Sequence, residues 1–420
     1  MSTRQKPCLF RPALRRGRGV LATFIVALLV VGSAGSVPPA GSDVERRPPV
    51  FDQYIVTLNG DDKPEEVAAD HLAEHGGWLL HTYSSALRGY AASFPASAIR
   101  SLRRDPRVRR VEGDQSVSVA EAIPTGVDRV EADVSATAGI DGVDRRVNAD
   151  VAILDTGIAK KHDDLVVAGG KSCITGSAWQ SDPHGHGTHV AGIVGARDNG
   201  VGVVGVAPGT RLWSVQVLDA GGFGKWSSVI CGIDWVTKNS QRIEVANLSF
   251  GGDGVNGPCS ATALHDAICR SVAAGVTYVA AAGNRAAPVD IVVPAAFPEV
   301  ITVSALADFD GKAGEAAAPQ CGSDQDDTYA DFSNYGSAVD LIAPGVCITS
   351  TARTGGYSMM SGTSMAAPHV TGAAALILTR QHHKRPASVR ADLQAAGTFR
   401  WKTSTDKDGT VDKLLDVSSF

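Results

Sequence analysis

Six short stretches of this chain, residues 151–154, 212–217, 245–248, 277–281, 300–303 and 339–342, are almost wholly apolar. Runs of that length without polar alternation suit strands buried on both faces. Between several of them lie longer stretches with helical spacing of apolar residues, at 186–196, 227–239, 260–274 and 364–381. Strands alternating with helices predict an α/β fold: a mostly parallel sheet with helices on both faces. The chain ahead of residue 120 has a different rhythm. Residues 54–58 and 89–94 alternate like half-buried strands, 108–111 and 116–119 read as further strand, and 65–75 and 96–103 have helical spacing. They predict a small α+β, ferredoxin-like unit over 51–120, followed by the larger domain over 121–420.

The first residues carry an address rather than a fold. Arg11, Arg15, Arg16 and Arg18 precede an apolar run at 20–31, and small residues follow at 32–36. That is the layout of a secretory signal over 1–36, and the run is shorter than the roughly 20 residues needed to span a bilayer. Residues 37–50, rich in Pro, Gly, Ser and charge, read as a linker. With 420 residues and 44% apolar side chains the chain can fill one large core and a smaller one, and no stable membrane span is expected. A net charge of −5 with no basic stripe gives no footprint for nucleic acid. Cys8 falls in the signal, and Cys173, Cys231, Cys259, Cys269, Cys321 and Cys347 remain. An even number in an exported chain favours disulfides, although sequence leaves their pairing open; proximity along the chain favours 259 with 269, 321 with 347, and 173 with 231.

Three strings carry the chemistry: Ile-Leu-Asp155-Thr-Gly, His186-Gly-Thr-His189-Val-Ala-Gly, and Gly-Thr-Ser364-Met-Ala-Ala-Pro368. A serine hydroxyl is a poor nucleophile near neutral pH. It needs a base to take its proton and a buried carboxylate to hold that base in the right tautomer. Asp155 ends a predicted strand, while His186 and Ser364 each open a predicted helix, so one crevice at the carboxyl ends of the strands can hold all three. Gly187 is expected to leave room for substrate beside the imidazole, and Pro368 to fall in the first turn of its helix, where its missing N–H costs little. A zinc reading of His186 and His189 lacks the His-Glu-x-x-His pattern.

On these strings the chain resembles the subtilisin superfamily of serine endopeptidases, in which the triad also runs Asp, His, Ser. The flanking text is most similar to its proteinase K branch. The resemblance covers about residues 54–378 and implies charge-relay roles for Asp155, His186 and Ser364. It implies that Asn284, in Ala281-Ala-Gly-Asn, donates to the oxyanion. It further implies that substrate backbone lies between Gly222-Phe223-Gly224 and Ser249-Phe250-Gly251, with Ala282 and Gly283 also contributing, so that recognition is mainly through main-chain hydrogen bonds and broad in sequence. No acidic residue stands in 249–252, 281–284 or 291–293, which favours an apolar residue before the scissile bond. The 51–120 unit resembles the family's inhibitory propeptide, cut off near 120–122 by the enzyme itself.

Structural Ca²⁺ at the main-chain oxygens of Pro298 and Val300 and the Asp340 carboxylate is a further implication. The acidic insertion at 308–331, with Asp308, Asp310, Asp324, Asp326 and Asp327, is either a second ion site or a solvated loop. The expected protein is therefore a secreted, self-processing, monomeric serine endopeptidase acting on polypeptides. Its rivals are a narrow-specificity processing protease and a catalytically silent binding protein of the same fold.

Overall fold

The computed structural model describes residues 51–114, 121–314 and 317–420. The basic and apolar opening at 1–36, the segment 37–50 and the strand expected at 116–119 lie outside the described residues. The chain divides into two compact units, one ending at Ser116 and the other beginning at Val117.

The first unit contains β1 (Phe51–Leu58), α1 (Pro64–His75), β2 (Trp78–Tyr83), β3 (Gly89–Pro95), α2 (Ile99–Leu102) and β4 (Val108–Gly113). Its strands form an antiparallel sheet in the order β2-β3-β1-β4. Val67 and Ala68 of α1 and Leu102 of α2 pack on the inward side chains Val56, Tyr90, Phe94 and Val111. Sequence alternation does not reveal β2, because Trp-Leu-Leu-His-Thr-Tyr is half-exposed along its whole length. A buried imidazole fastens helix to sheet: His71 of α1 bonds the Tyr90 hydroxyl through Nδ1 and the Asp105 carboxylate, at 2.9 Å, through Nε2.

The second unit is built on eight strands. Those of its central path are β5 (Asp150–Asp155), β6 (Val167–Ser172), β7 (Arg211–Gln216), β8 (Val245–Leu248), β10 (Thr277–Ala281), β12 (Val300–Ala307) and β13 (Thr328–Tyr329), in the order β13-β12-β10-β8-β5-β7-β6, with β14 (Leu341–Pro344) also paired to β12. All these pairs are parallel except β12 with β13. Period-2 alternation divides the two cores cleanly: Val151 and Ile153 of β5 face one, Ala152 and Leu154 the other. On the first face lie α4 (His186–Gly195) and α7 (Thr363–Arg380); on the second, α5 (Trp226–Lys238) and α6 (Ala263–Ala273). The remaining elements are α3 (Thr125–Arg129), the short pair β9 (Gly252–Asp253) and β11 (Val292–Val293), the hairpin β15 (Ile348–Thr351) with β16 (Tyr357–Met360), and α8 (Pro386–Ala396).

Helix α7 is buried on almost every side, as its unbroken apolar sequence requires. Three disulfides close loops of this unit, Cys173–Cys231, Cys259–Cys269 and Cys321–Cys347. The acidic insertion is solvated only in part, and Asp308, Asp310 and Asp326 bring carboxylate oxygens within 4.8 Å of one another. Asp308, Asp326 and Asp327 are buried, and Asp308 and Asp327 close on the guanidinium of Arg129 from α3, at 2.6 and 2.7 Å. Among the described residues no helix is long and apolar enough to cross a membrane.

Candidate active site

Adjacent parallel strands bring the candidate residues to one end of the sheet. Leu154 of β5 lies opposite Leu248 of β8, which in turn lies opposite Ala280 of β10. The residues that follow, Asp155, Ser249 and the 282–284 loop, therefore leave the sheet side by side at its carboxyl edge.

Asp155 is fully buried, and both of its oxygens accept from Nδ1 of His186, at 2.8 and 3.0 Å. With Nδ1 holding the proton for the carboxylate, Nε2 is left as the basic nitrogen. Burial alone would lower the basicity of His186, but the Asp155 charge and hydrogen bond outweigh it, and the imidazole titrates above its usual value. Gly187 serves a different purpose from the one expected. A Cβ there would stand 2.2 Å from the Gly157 carbonyl oxygen and 3.0 Å from Asp155 Cβ, so this glycine admits the strand end, not substrate.

The start of α4 is organised by Asp182, to which sequence gave no pointer. Its carboxylate accepts from His184 N, Gly185 N, Thr188 N and the Thr156 and Thr188 hydroxyls, all between 2.7 and 3.1 Å. Asp182 thereby takes the Gly185 and Thr188 amides of the helix start, the Thr156 hydroxyl that it holds takes that of Gly187 at 3.0 Å, and His186 is held beside Asp155. His189 faces away, with Nε2 on the Ser358 carbonyl at 3.0 Å; burial drops its pKa to about 4. It forms no metal pair with His186.

Ser364 is the second residue of α7. Its hydroxyl donates to the Ser249 carbonyl at 3.0 Å; among the described residues it makes no hydrogen bond to His186. Pro368 is the sixth residue of the helix rather than a first-turn residue, and the chain tolerates it for a specific reason. Lacking an N–H, Pro368 cannot bond the Ser364 carbonyl four residues back, and the Ser249 hydroxyl donates to that oxygen instead, at 2.8 Å. Asn247 Nδ2 supports Ser249 Oγ at 2.8 Å, and Thr371 Oγ1 supports Asn247 Oδ1 at 2.8 Å.

Asn284 Oδ1 accepts from both the amide and the hydroxyl of Thr363, each at 2.8 Å, which fixes the amide with its Nδ2 donor facing Gly362, where an added Cβ would stand 3.2 Å from it. The loop carrying it is clamped by buried Asn334, also missed in sequence. Asn334 Oδ1 accepts from Arg285 N and Ala287 N, and its Nδ2 donates to the Ala282 carbonyl at 2.8 Å. Gly283 adopts φ 106° where a Cβ would strike Asn334.

Two pockets flank Ser364's end of the cleft. One, of about 440 Å³, is lined by Gly222, Phe223, Gly224, Phe250, Gly251 and Trp226 among others. The second, of about 410 Å³, includes Phe250, Ala281, Gly283, Asn284, Val292 and Ser364. Ala282 lines neither. It is fully buried, its N–H is spent on Val303 O and its carbonyl on Asn334, so it has no backbone group to offer a substrate.

The expected calcium ligands Pro298, Val300 and Asp340 do converge, but around a side chain. Arg390 donates Nη1 to the Pro298 carbonyl at 2.7 Å and Nη2 to that of Val300, with Nε 3.6 Å from Asp340 Oδ1. The position already holds a cation, and calcium does not fit there. A different oxygen set is short of positive charge. Glu121 accepts from Asn199 N and Gly200 N, Asn199 Nδ2 donates to Asp164, and among the described residues neither carboxylate has an ion-pair partner. Burial and a hydrogen bond with Asp198 push the Glu121 carboxyl up to about 7. Asp164 is buried while Glu121 and Asn199 are half-buried, and oxygen donors without a counter-charge are of the kind a hard divalent cation takes.

Residues 148–413 match the subtilase family, and residues 53–120 match the peptidase inhibitor I9 family. The chain belongs to the subtilase family. This subtilase is 39% identical over 282 residues to subtilisin DY of Bacillus licheniformis, covering 66% of this chain and 93% of that protein. It is 32% identical over 399 residues to a thermostable alkaline protease of Halalkalibacterium halodurans, covering 95% and 98%. A crystal structure of a cold adapted subtilisin-like serine proteinase superposes with TM-score 0.55 at 32% identity, over 72% of this chain and 99% of that one. The subtilase is a serine endopeptidase carrying an I9 propeptide unit.

Because the Ser364 carbonyl depends on a side-chain donor, Ser249→Ala should lower the unfolding free energy by about 1–2 kcal/mol, and Ser249→Thr should retain most of it. Urea unfolding of the two variants measures the difference.

Proposed function

We propose that Ser364 is the nucleophile, His186 the base and then the acid, Asp155 the group that orients and charges the imidazole, and Asn284 the oxyanion donor. The observation that carries this reading is the doubly accepted Asp155–His186 hydrogen bond, which leaves Nε2 basic at the edge where Ser364 opens α7. Rotation of the Ser364 side chain away from the Ser249 carbonyl brings its hydroxyl to Nε2; such contacts often tighten only with substrate bound. The oxygen attacks the scissile carbonyl, its proton passes to Nε2, and the tetrahedral oxyanion takes hydrogen bonds from Asn284 Nδ2 and the helix-start amide of Ser364. His186 then protonates the leaving amine, and water repeats the sequence to release the acid.

Gly222-Phe223-Gly224 and Ser249-Phe250-Gly251 pair with substrate backbone as flanking strands, which makes the enzyme broad in sequence with an apolar preference before the cut. The apolar side chains of Phe250, Ala281 and Val292 in the pocket lining support that preference. We infer secretion from the leader at 1–36, and release of the propeptide by the enzyme's own cut near 120–122. Glu121, Asp164 and Asn199 would hold a structural Ca²⁺, which would supply the positive charge that their carboxylates lack and take no part in the chemistry.

The full chain should lose its leader and propeptide on production, whereas Ser364→Ala should keep the propeptide by mass, losing the leader alone, and turn over peptides about 10⁶-fold more slowly, the scale set by subtilisin itself. The base must be neutral and its pKa is raised, so kcat/KM should fall as pH drops through a value above the ordinary 6.5 of imidazole. A pH–rate profile whose acid limb lies below 6.5 contradicts the assignment. Chelation by EDTA should lower the melting temperature of the wild type and have little effect on Asp164→Asn, while Arg390→Ala should keep the wild-type response to EDTA.

A further inference from the structure

The pocket beside Ser364 has two charged side chains in its lining, and sequence reasoning assigned neither to it. Asp253 enters through the pairing of β9 with β11, which sets it opposite Val292. Arg285 directly follows Asn284, and its amide is fixed by Asn334 Oδ1 at 3.0 Å. The two meet as an ion pair, Arg285 Nη1 to Asp253 Oδ1 at 2.7 Å, and among the described residues they are the only charges lining that pocket. The rest of the lining is glycine, apolar or neutral polar. The pair stands in water, with Asp253 83% and Arg285 51% exposed, so an entering side chain can reach either partner.

We propose that the Asp253–Arg285 pair is a charge gate for the residue that precedes the scissile bond. It keeps a pocket that contains a carboxylate electrically neutral, and so keeps the enzyme's preference apolar. This rests on reading the cleft as the peptidase site. A substrate lysine or arginine entering the pocket has to compete with Arg285 for the Asp253 carboxylate, and a substrate glutamate has to compete with Asp253 for the guanidinium. Neither gains a free counter-charge, while an aliphatic or aromatic side chain disturbs nothing. Loss of one partner exposes the other, so the two residues determine specificity in opposite directions.

The test uses matured enzyme and three peptides that differ only in having Leu, Lys or Glu before the cut. Ratios of kcat/KM within each variant cancel differences in active fraction. In Arg285→Gln the Lys:Leu ratio should rise about two- to fivefold and the Glu:Leu ratio fall, a size typical of exposed charge pairs. In Asp253→Asn the two ratios should move the other way, and about 1 M salt should shrink both shifts. The exchanged double variant Asp253→Arg/Arg285→Asp re-forms the pair and should return the ratios toward wild type. Unchanged ratios, or Lys and Glu shifting in the same direction in one variant, overturn the gate. Failure of the wild type to cleave any of the three peptides overturns the peptidase reading itself, and the gate with it.

Discussion

The register between β5, β8 and β10 is the constraint on which the site depends. Strands buried on both faces cannot slip or tilt without exposing apolar side chains on one side and overpacking the other. Their carboxyl ends are therefore fixed to one another. Asp155, Ser249 and the loop bearing Asn284 inherit that order directly, because each stands within a few residues of a strand end. The helices add the other two groups: α4 starts at His186 and α7 one residue before Ser364. An arrangement so placed needs few dedicated contacts, since the sheet has already done most of the ordering.

What dedicated contacts there are act on helix beginnings. Asp182 takes amides on either side of His186, those of Gly185 and Thr188, and Thr363 ties Asn284 to the start of α7. The Pro368 device works in the same place. By withholding one backbone hydrogen bond it frees the Ser364 carbonyl for Ser249, coupling the helix to the neighbouring strand end through a side chain. The helix gives up a local bond and receives a long-range one in return.

Much of this was legible in the sequence. Fully apolar runs reported the doubly covered strands, and the three motif strings reported Asp155, His186 and Ser364, because those positions need a specific residue type with a specific local geometry. The residues that were not legible act through partners distant in the chain. Asp182 and Asn334 look like ordinary turn residues, Pro368 reads most simply as a first-turn proline, and β2 lacks alternation because neither of its faces is fully covered. Ala282 lies within a motif expected to meet substrate, yet its backbone is committed elsewhere. Gly187 is required, but by the strand end rather than by a ligand. Sequence shows that a glycine is needed; the packing shows against what.

Arg390 illustrates how a cation requirement can be met without an ion. The carbonyls of Pro298 and Val300 and the Asp340 carboxylate would suit a metal, and a guanidinium on α8 occupies their centre. A tethered charge has no dissociation constant. It cannot be diluted away, stripped by a competing ligand or exchanged for a different metal, and it joins its ligands as soon as the helix docks. In exchange it cannot act as a sensor: this corner of the enzyme is blind to the ionic composition of its surroundings.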